Sequence, residues 1–158
     1  MTHYAAVCLF LVFGARMLNE SREASNAASD ELEEVEATLR AARDLTEPGG
    51  RLVVLFQPHL YSRTAHMAYE FGAALALADK VCVTAIYPAR EQPRPGVTAR
   101  LVLDALTDRR PGMHVGLAAS LQSAALLVGH WLLPGDMMLT VGAGDVDRGI
   151  HLIAEQLS

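Results

Sequence analysis

The sequence predicts an α/β fold, a three-layer αβα sandwich around a mainly parallel, Rossmann-like sheet, and three observations carry that prediction. Short runs such as "LVVLF" at 52–56 and "VCVTAI" at 81–86 are too uniformly apolar for strands with one face in water. The stretches between them repeat apolar residues at three and four, the spacing of one helix face. Buried parallel strands need crossovers, and alternating helices supply them.

Taken in order, Tyr4 to Ala15, "YAAVCLFLVFGA", is an apolar run shorter than the roughly 20 residues that span a bilayer. Two readings stand: a buried strand over Val7 to Phe13, or a signal-peptide core, although the preceding "MTH" lacks the usual Lys or Arg. Residues 18–28, "LNESREASNAA", are small and polar and read as a connection. The expected organisation is therefore an N-terminal segment over 1–28 and one domain over 29–158. A helix is predicted from Asp30, whose spacing to Glu33 is that of a capping box, with Leu32, Val35, Leu39, Ala42 and Leu45 on its apolar face. "EPGG" at 47–50 ends it, because Pro48 cannot continue a helix and glycine accepts the left-handed turn beyond one.

The pattern then repeats in kind. Leu52 to Phe56 reads as a strand, Ser62 to Ala78 as a helix with Phe71, Leu75 and Ala78 inward, and Val81 to Ile86 as a strand. "PAREQPRPG" at 88–96 is a proline-rich loop. Val97 to Leu106 follows as a helix, Met113 to Leu117 as a short strand, and Ser120 to Leu133 as a helix with Leu121, Ala125, Val128 and Leu132 on one face. Pro134 and Gly135 stop that helix. Met137 to Val141 is the last strand and Val146 to Leu157 the last helix.

Composition narrows the function classes. A chain of 158 residues with 51% hydrophobic and 20% charged residues is long and apolar enough for one domain with a true core. A net charge of −5 without a Lys/Arg run argues against a nucleic-acid partner. Cys8 and Cys82 lack the C-x-x-C spacing of zinc or redox sites, which predicts a reduced, cytoplasmic chain without a membrane partner. His3, His66, His114, His130 and His151 show no metal-ligand spacing.

The candidate site begins where "LVVLFQPHLYSRT" at 52–64 turns from apolar to polar. In open parallel sheets, ligands bind beyond the carboxyl ends of the strands, and His59, Tyr87 and Gly142 all fall there. Arg63 suits a carboxylate, since a guanidinium makes two parallel charge-assisted bonds to one; the competing reading is a surface Arg near a helix start. His59 either orients a ligand at the same mouth or satisfies the turn. Tyr87 and Arg90 contact a ligand or anchor the proline-rich loop. Ser62 is expected to cap its helix, with Tyr61 packing across the loop and Thr64 structural. "GAGD" at 142–145 follows a strand and opens a helix, so Gly142 and Gly144 permit close backbone approach to a ligand or phosphate, while Asp145 alternatively serves only as an N-cap.

"GGRLVVLFQPHLYSRT", "FGAALALADKV", "IYPAREQPRPGV", "PGD" and "LTVGAGDV", in that order, resemble the C-terminal domain of bacterial Mur ligases, most closely the branch that joins L-alanine to UDP-N-acetylmuramate. The resemblance runs from about Glu34 to the end. It implies one of three domains of a peptidoglycan ligase, the others holding the UDP-sugar and ATP with Mg2+, and it implies His59, Arg63, Tyr87 and Arg90 as substrate-side residues. It assigns no catalytic residue here, and partners would be L-alanine and a ligase central domain or full ligase. Three departures stand out. No G-x-x-x-x-G-K-[ST] occurs, so the chain has no P-loop. The family's Asp-Asp-Tyr and His-His-Pro segment reads "SNAASDELEEVE" here, and its Asp before the "VYPA" tyrosine is Ala85. Leu60 stands where many relatives carry a basic residue. The chain alone is therefore expected to bind no cofactor and to be inactive, and the alternative is a stand-alone binding or regulatory module derived from that domain.

Overall fold

The computed structural model describes residues 22–142 and 144–157. Nine elements follow in the order α1 (Arg22–Leu45), β1 (Leu52–Gln57), α2 (Tyr61–Leu75), β2 (Lys80–Thr84), α3 (Arg100–Arg109), β3 (His114–Ala118), α4 (Leu121–Trp131), β4 (Met137–Gly142) and α5 (Arg148–Leu157). The four strands pair in the order β3-β2-β1-β4, all parallel, with Val54 opposite Val81 on one side and Leu139 on the other.

Alternation along each strand splits the core into two layers. Leu52, Val54 and Phe56, with Val81, Val83, Leu139 and Val141, face α1, α2 and α3 through Val35, Leu39, Phe71, Leu75, Val102 and Leu106. Val53, Leu55, Cys82 and Met138 face α4 and α5 through Leu121, Ala125, Val128 and Ile153. This is the predicted αβα sandwich. Both faces of the central strand are covered, so every residue of β1 is buried. Each fully covered Val, Leu or Phe contributes about 1.5–3 kcal/mol of hydrophobic stabilisation. Gly72 lets α2 and α3 approach closely, since a Cβ there would lie 2.7 Å from Ala105 Cβ and the Leu106 nitrogen.

The structure corrects several boundaries. Residues 22–28 are helical rather than a connection, because "REASNAA" is rich in alanine and continues the first helix upstream of Asp30. Asp30 therefore lies inside α1 and is not its cap. Leu45, placed on the apolar face by spacing, is 61% exposed at the helix end. A helix after the proline-rich loop starts at Arg100 instead of Val97. The capping signal missed in the sequence is at Ser120, whose hydroxyl accepts from the Ser123 backbone while the Ser123 hydroxyl accepts from the Ser120 N–H. The strand read over Val7 to Phe13 and Cys8 lie outside the described residues. No helix among the described residues is long and apolar enough to cross a membrane.

Candidate functional site at the carboxyl ends of the strands

Buried β1 emerges at Pro58, and the next residue, His59, forms a lone parallel bridge with Tyr87, which follows β2. Tyr87 N–H donates to the Pro58 carbonyl at 2.8 Å, and Leu60 N–H donates to the Tyr87 carbonyl at 3.0 Å. The two loops are thus stitched together above the sheet, with the His59 and Tyr87 rings 6.0 Å apart. The loop after β4 closes against the same place. Gly142, at φ 133, lies against the Gln57 backbone, and Gly144, at φ 78, lies against the Tyr87 ring, so closely that a Cβ at either position would collide.

Arg63 sits in the first turn of α2, four residues past His59. Its Nη1 is 3.5 Å from His59 Nδ1 and donates to the carboxylate of Glu31, which α1 brings across. The pair is enclosed, with side-chain exposures of 19% for Arg63 and 8% for Glu31. Burial raises the Glu31 pKa above its ordinary value; Arg63 opposes the rise without cancelling it, and Glu34 adds to it. Burial, then the Arg63 charge, lowers the His59 pKa below 6.5 despite Glu91. His59 is therefore neutral at pH 7, and its Nδ1 is able to accept from Arg63.

Backbone strain is concentrated here. Among the described residues the non-glycine positions with positive φ are Leu60, at 64°, and Ala89, at 51°. One directly follows His59 and the other lies two past Tyr87. Leu60 is held by Thr64, whose backbone N–H and hydroxyl donate to its carbonyl at 3.0 and 2.8 Å. Thr64 is structural, as its sequence context implied, and Tyr61 packs against the core. Ser62 does not cap α2. The strained turn puts Leu60 at the cap position, and Glu91 of the proline-rich loop supplies the cap instead, accepting from the Ser62 N–H at 2.9 Å and from the Ser62 hydroxyl. Burial works against the Glu91 charge, but the bonds from Ser62 outweigh it and hold the pKa below the ordinary value.

Arg90 is exposed on the same loop, one residue past Ala89. Asp145 pairs with Arg148 at 3.7 Å at the start of α5. Ala85 borders a neighbouring cavity of about 560 Å³ beyond the ends of β2 and β3, walled by Ile86, Val97, Ala99, Leu117 and Tyr61. No group of three or more His, Cys, Asp or Glu suited to a metal occurs among the described residues.

Two residues of this region escaped the sequence reading. Glu31 lies four residues before Val35, on the apolar stripe of α1, and a carboxylate on such a stripe signals a buried cation. Gln57 closes an apolar strand, is 8% exposed, and its Oε1 is buried without a hydrogen-bond partner.

Together these features define a parallel α/β domain whose loops converge on a polar rim beyond the ends of β1, β2 and β4. A family model described as "Mur ligase, glutamate ligase domain" matches residues 28–144, and the chain belongs to that Mur ligase C-terminal domain family. It is 51% identical over 123 residues to a UDP-N-acetylmuramate--L-alanine ligase of Saccharopolyspora erythraea, covering 77% of this chain and 24% of the relative. Over 127 residues it is 53% identical to the ligase of the same name from Kineococcus radiotolerans, covering 78% of this chain and 26% of the relative. The chain thus spans about a quarter of the length of these relatives. Among solved structures, a domain assigned to a UDP-N-acetylmuramate:L-alanyl-gamma-D-glutamyl-meso-diaminopimelate ligase of Haemophilus ducreyi superposes with a TM-score of 0.56 at 17% identity, covering 79% of this chain and 83% of that one. That likeness is one of fold.

Proposed function

We propose that the chain is the amino-acid-side C-terminal domain of an ATP-dependent UDP-N-acetylmuramate:L-alanine ligase of peptidoglycan synthesis, working in the cytoplasm. The carrying observation is the convergence of His59, Arg63, Tyr87 and Gly144 on one rim. In this reading Arg63 takes the carboxylate of L-alanine, neutral His59 orients the Arg63 guanidinium, and Tyr87 with Arg90 borders the amino acid from the second loop. Gly142 and Gly144 let the third wall pack directly on the Gln57 backbone and the Tyr87 ring, so that they fix the position of Tyr87 at the rim.

The rest of the reaction belongs to domains outside this chain. With no G-x-x-x-x-G-K-[ST] in the sequence, its residues do not fit a P-loop nucleotide site, and no step through ATP or Mg2+ is assigned to them. Joining an activated muramate carboxyl to an amine depends on holding both together, an alignment worth about 7–11 kcal/mol. One domain cannot supply it. The purified chain mixed with ATP, UDP-N-acetylmuramate and L-alanine should release phosphate only at the blank rate; release above blank overturns the claim of inactivity. Added to a fragment carrying the UDP-sugar and ATP domains, it should restore L-alanine addition, and Arg63→Ala should remove that restoration.

A second reading is a non-catalytic binding or regulatory module. It is favoured by the engagement of Arg63 with Glu31 within the chain, and failure to restore activity together with co-purification of an intact ligase would decide for it.

A further inference from the structure

Glu31 holds Arg63 in the way a ligand would. Its carboxylate reaches the guanidinium at the strand-end rim, next to His59, and the two side chains are largely enclosed. An α-amino acid presents the same group to the same donor. We propose that Glu31 is a built-in competitor for the Arg63 carboxylate site, so that Arg63 takes a ligand's carboxylate only after the first turns of α1 draw Glu31 away. This deepens the reading of the rim as the amino-acid side of a ligase and rests on it.

The anchoring of α1 is uneven in a way that permits such a movement. Its second half is fixed by Val35, Leu39 and Ala42, each at most 3% exposed, and by Arg43, which bonds Asp79 and the Leu77 carbonyl at 2.7 Å. Among the described side chains of the first half, Ala28 is buried in the core and Leu32 is partly covered. Between the halves the Thr38 hydroxyl donates to the Glu34 carbonyl at 2.8 Å, a back-bond that tends to bend a helix. Among the described side chains, the first half thus meets the core through Ala28 and a partly covered Leu32, beside the Glu31–Arg63 ion pair. Burial of Glu31, which raises its pKa, works against its charge and lowers the cost of leaving.

If the open form is populated at ten per cent or less, the apparent affinity of Arg63 for a carboxylate is reduced about tenfold or more. The test follows the Arg63 side-chain and His59 ring resonances by NMR while the full chain is titrated with sodium acetate or with L-alanine at constant ionic strength. Glu31→Gln should bind acetate at least about tenfold more tightly than the parent chain, and Glu31→Gln/Arg63→Gln should abolish the gain. Equal acetate affinity in the parent and Glu31→Gln chains, or no binding in either, overturns the competitor. In the parent chain, saturating acetate should shift the Glu31 side-chain carboxyl carbon resonance; binding that leaves it unmoved also overturns the competitor, and this holds even if the variants fold poorly. Tighter acetate binding without L-alanine binding in Glu31→Gln keeps the competitor and removes the amino-acid reading.

Discussion

The two ends of the sheet are built differently. At the amino ends of the strands, each loop is pinned by a charge. Arg51 bonds Asp136 through Nε at 3.0 Å and Nη2 at 2.5 Å, and also the Trp131 carbonyl at 2.7 Å. Asp79 takes Arg43 and the Leu52 N–H, Arg110 donates to the carbonyls of Ala76 and Ala78, and Lys80 lies over the Trp131 ring that His114 meets edge-on. At the carboxyl ends stand a strained Leu60, a strained Ala89, an unpaired Gln57 oxygen and a Glu31 whose burial disfavours its charge. Satisfied groups hold a fold together, whereas strain and unmet polar demand persist where a ligand or partner is to be met.

That contrast can be broken at its strong end first. Asp136→Ala removes the carboxylate that pairs with the Arg51 guanidinium and accepts from the Leu133 and Arg51 backbone N–H groups, and should cost about 3 kcal/mol in urea unfolding. The same groups set the acid limb. Burial opposes the charge of Asp136 and Asp79, but bonds from Arg51 and Arg43 outweigh it and hold both carboxyls below 3.8. A depressed folded-state pKa contributes stability above the unfolded value and loses it as pH falls through the folded one. Glu31 has the opposite sign: raised above 4.5, it is unfavourable when charged and is relieved as pH falls through its raised value. Urea midpoints followed from pH 7 to pH 2 should therefore decline below about pH 4, and Asp136→Asn should flatten that decline.

At the rim, substitutions should cost less or act in reverse. Leu60→Gly removes a side chain from a positive φ and should raise stability by about 1 kcal/mol while loosening the His59 loop, seen as faster amide exchange at Leu60. Glu31→Gln should lower stability by about 1 kcal/mol at pH 7, because the neutral amide holds Arg63 less firmly than the carboxylate while relief of the buried charge offsets part of the loss. A large loss in Glu31→Gln would make the rim as structural as the other end and erase the contrast.

How much of this was legible follows from what each signal depends on. Strand hydrophobicity and helix spacing are local, so the layers, the parallel sheet and the strand-end placement of His59 and Tyr87 could be read directly. Arg63 was legible as a candidate through its place in "HLYSRT", but its partner was not, since 32 residues and a whole strand separate it from Glu31. Ser62 misled for a similar reason: a hydroxyl at a helix start is a local cap signal, and Glu91, 29 residues on, displaced it. Small polar residues over 18–28 read locally as a linker, whereas the alanines among 22–28 sustain the helix that α1 forms there.

Cys82 sits in the middle of the sheet, on the layer shared with α4 and α5, as a free thiol that is 0% exposed. Burial pushes its pKa up to about 12, so neither access nor thiolate is available to an alkylating reagent in the closed fold. Its modification, separated from that of Cys8 by peptide mapping, therefore serves as a clock for opening of the sheet itself, one that runs without any engineered probe.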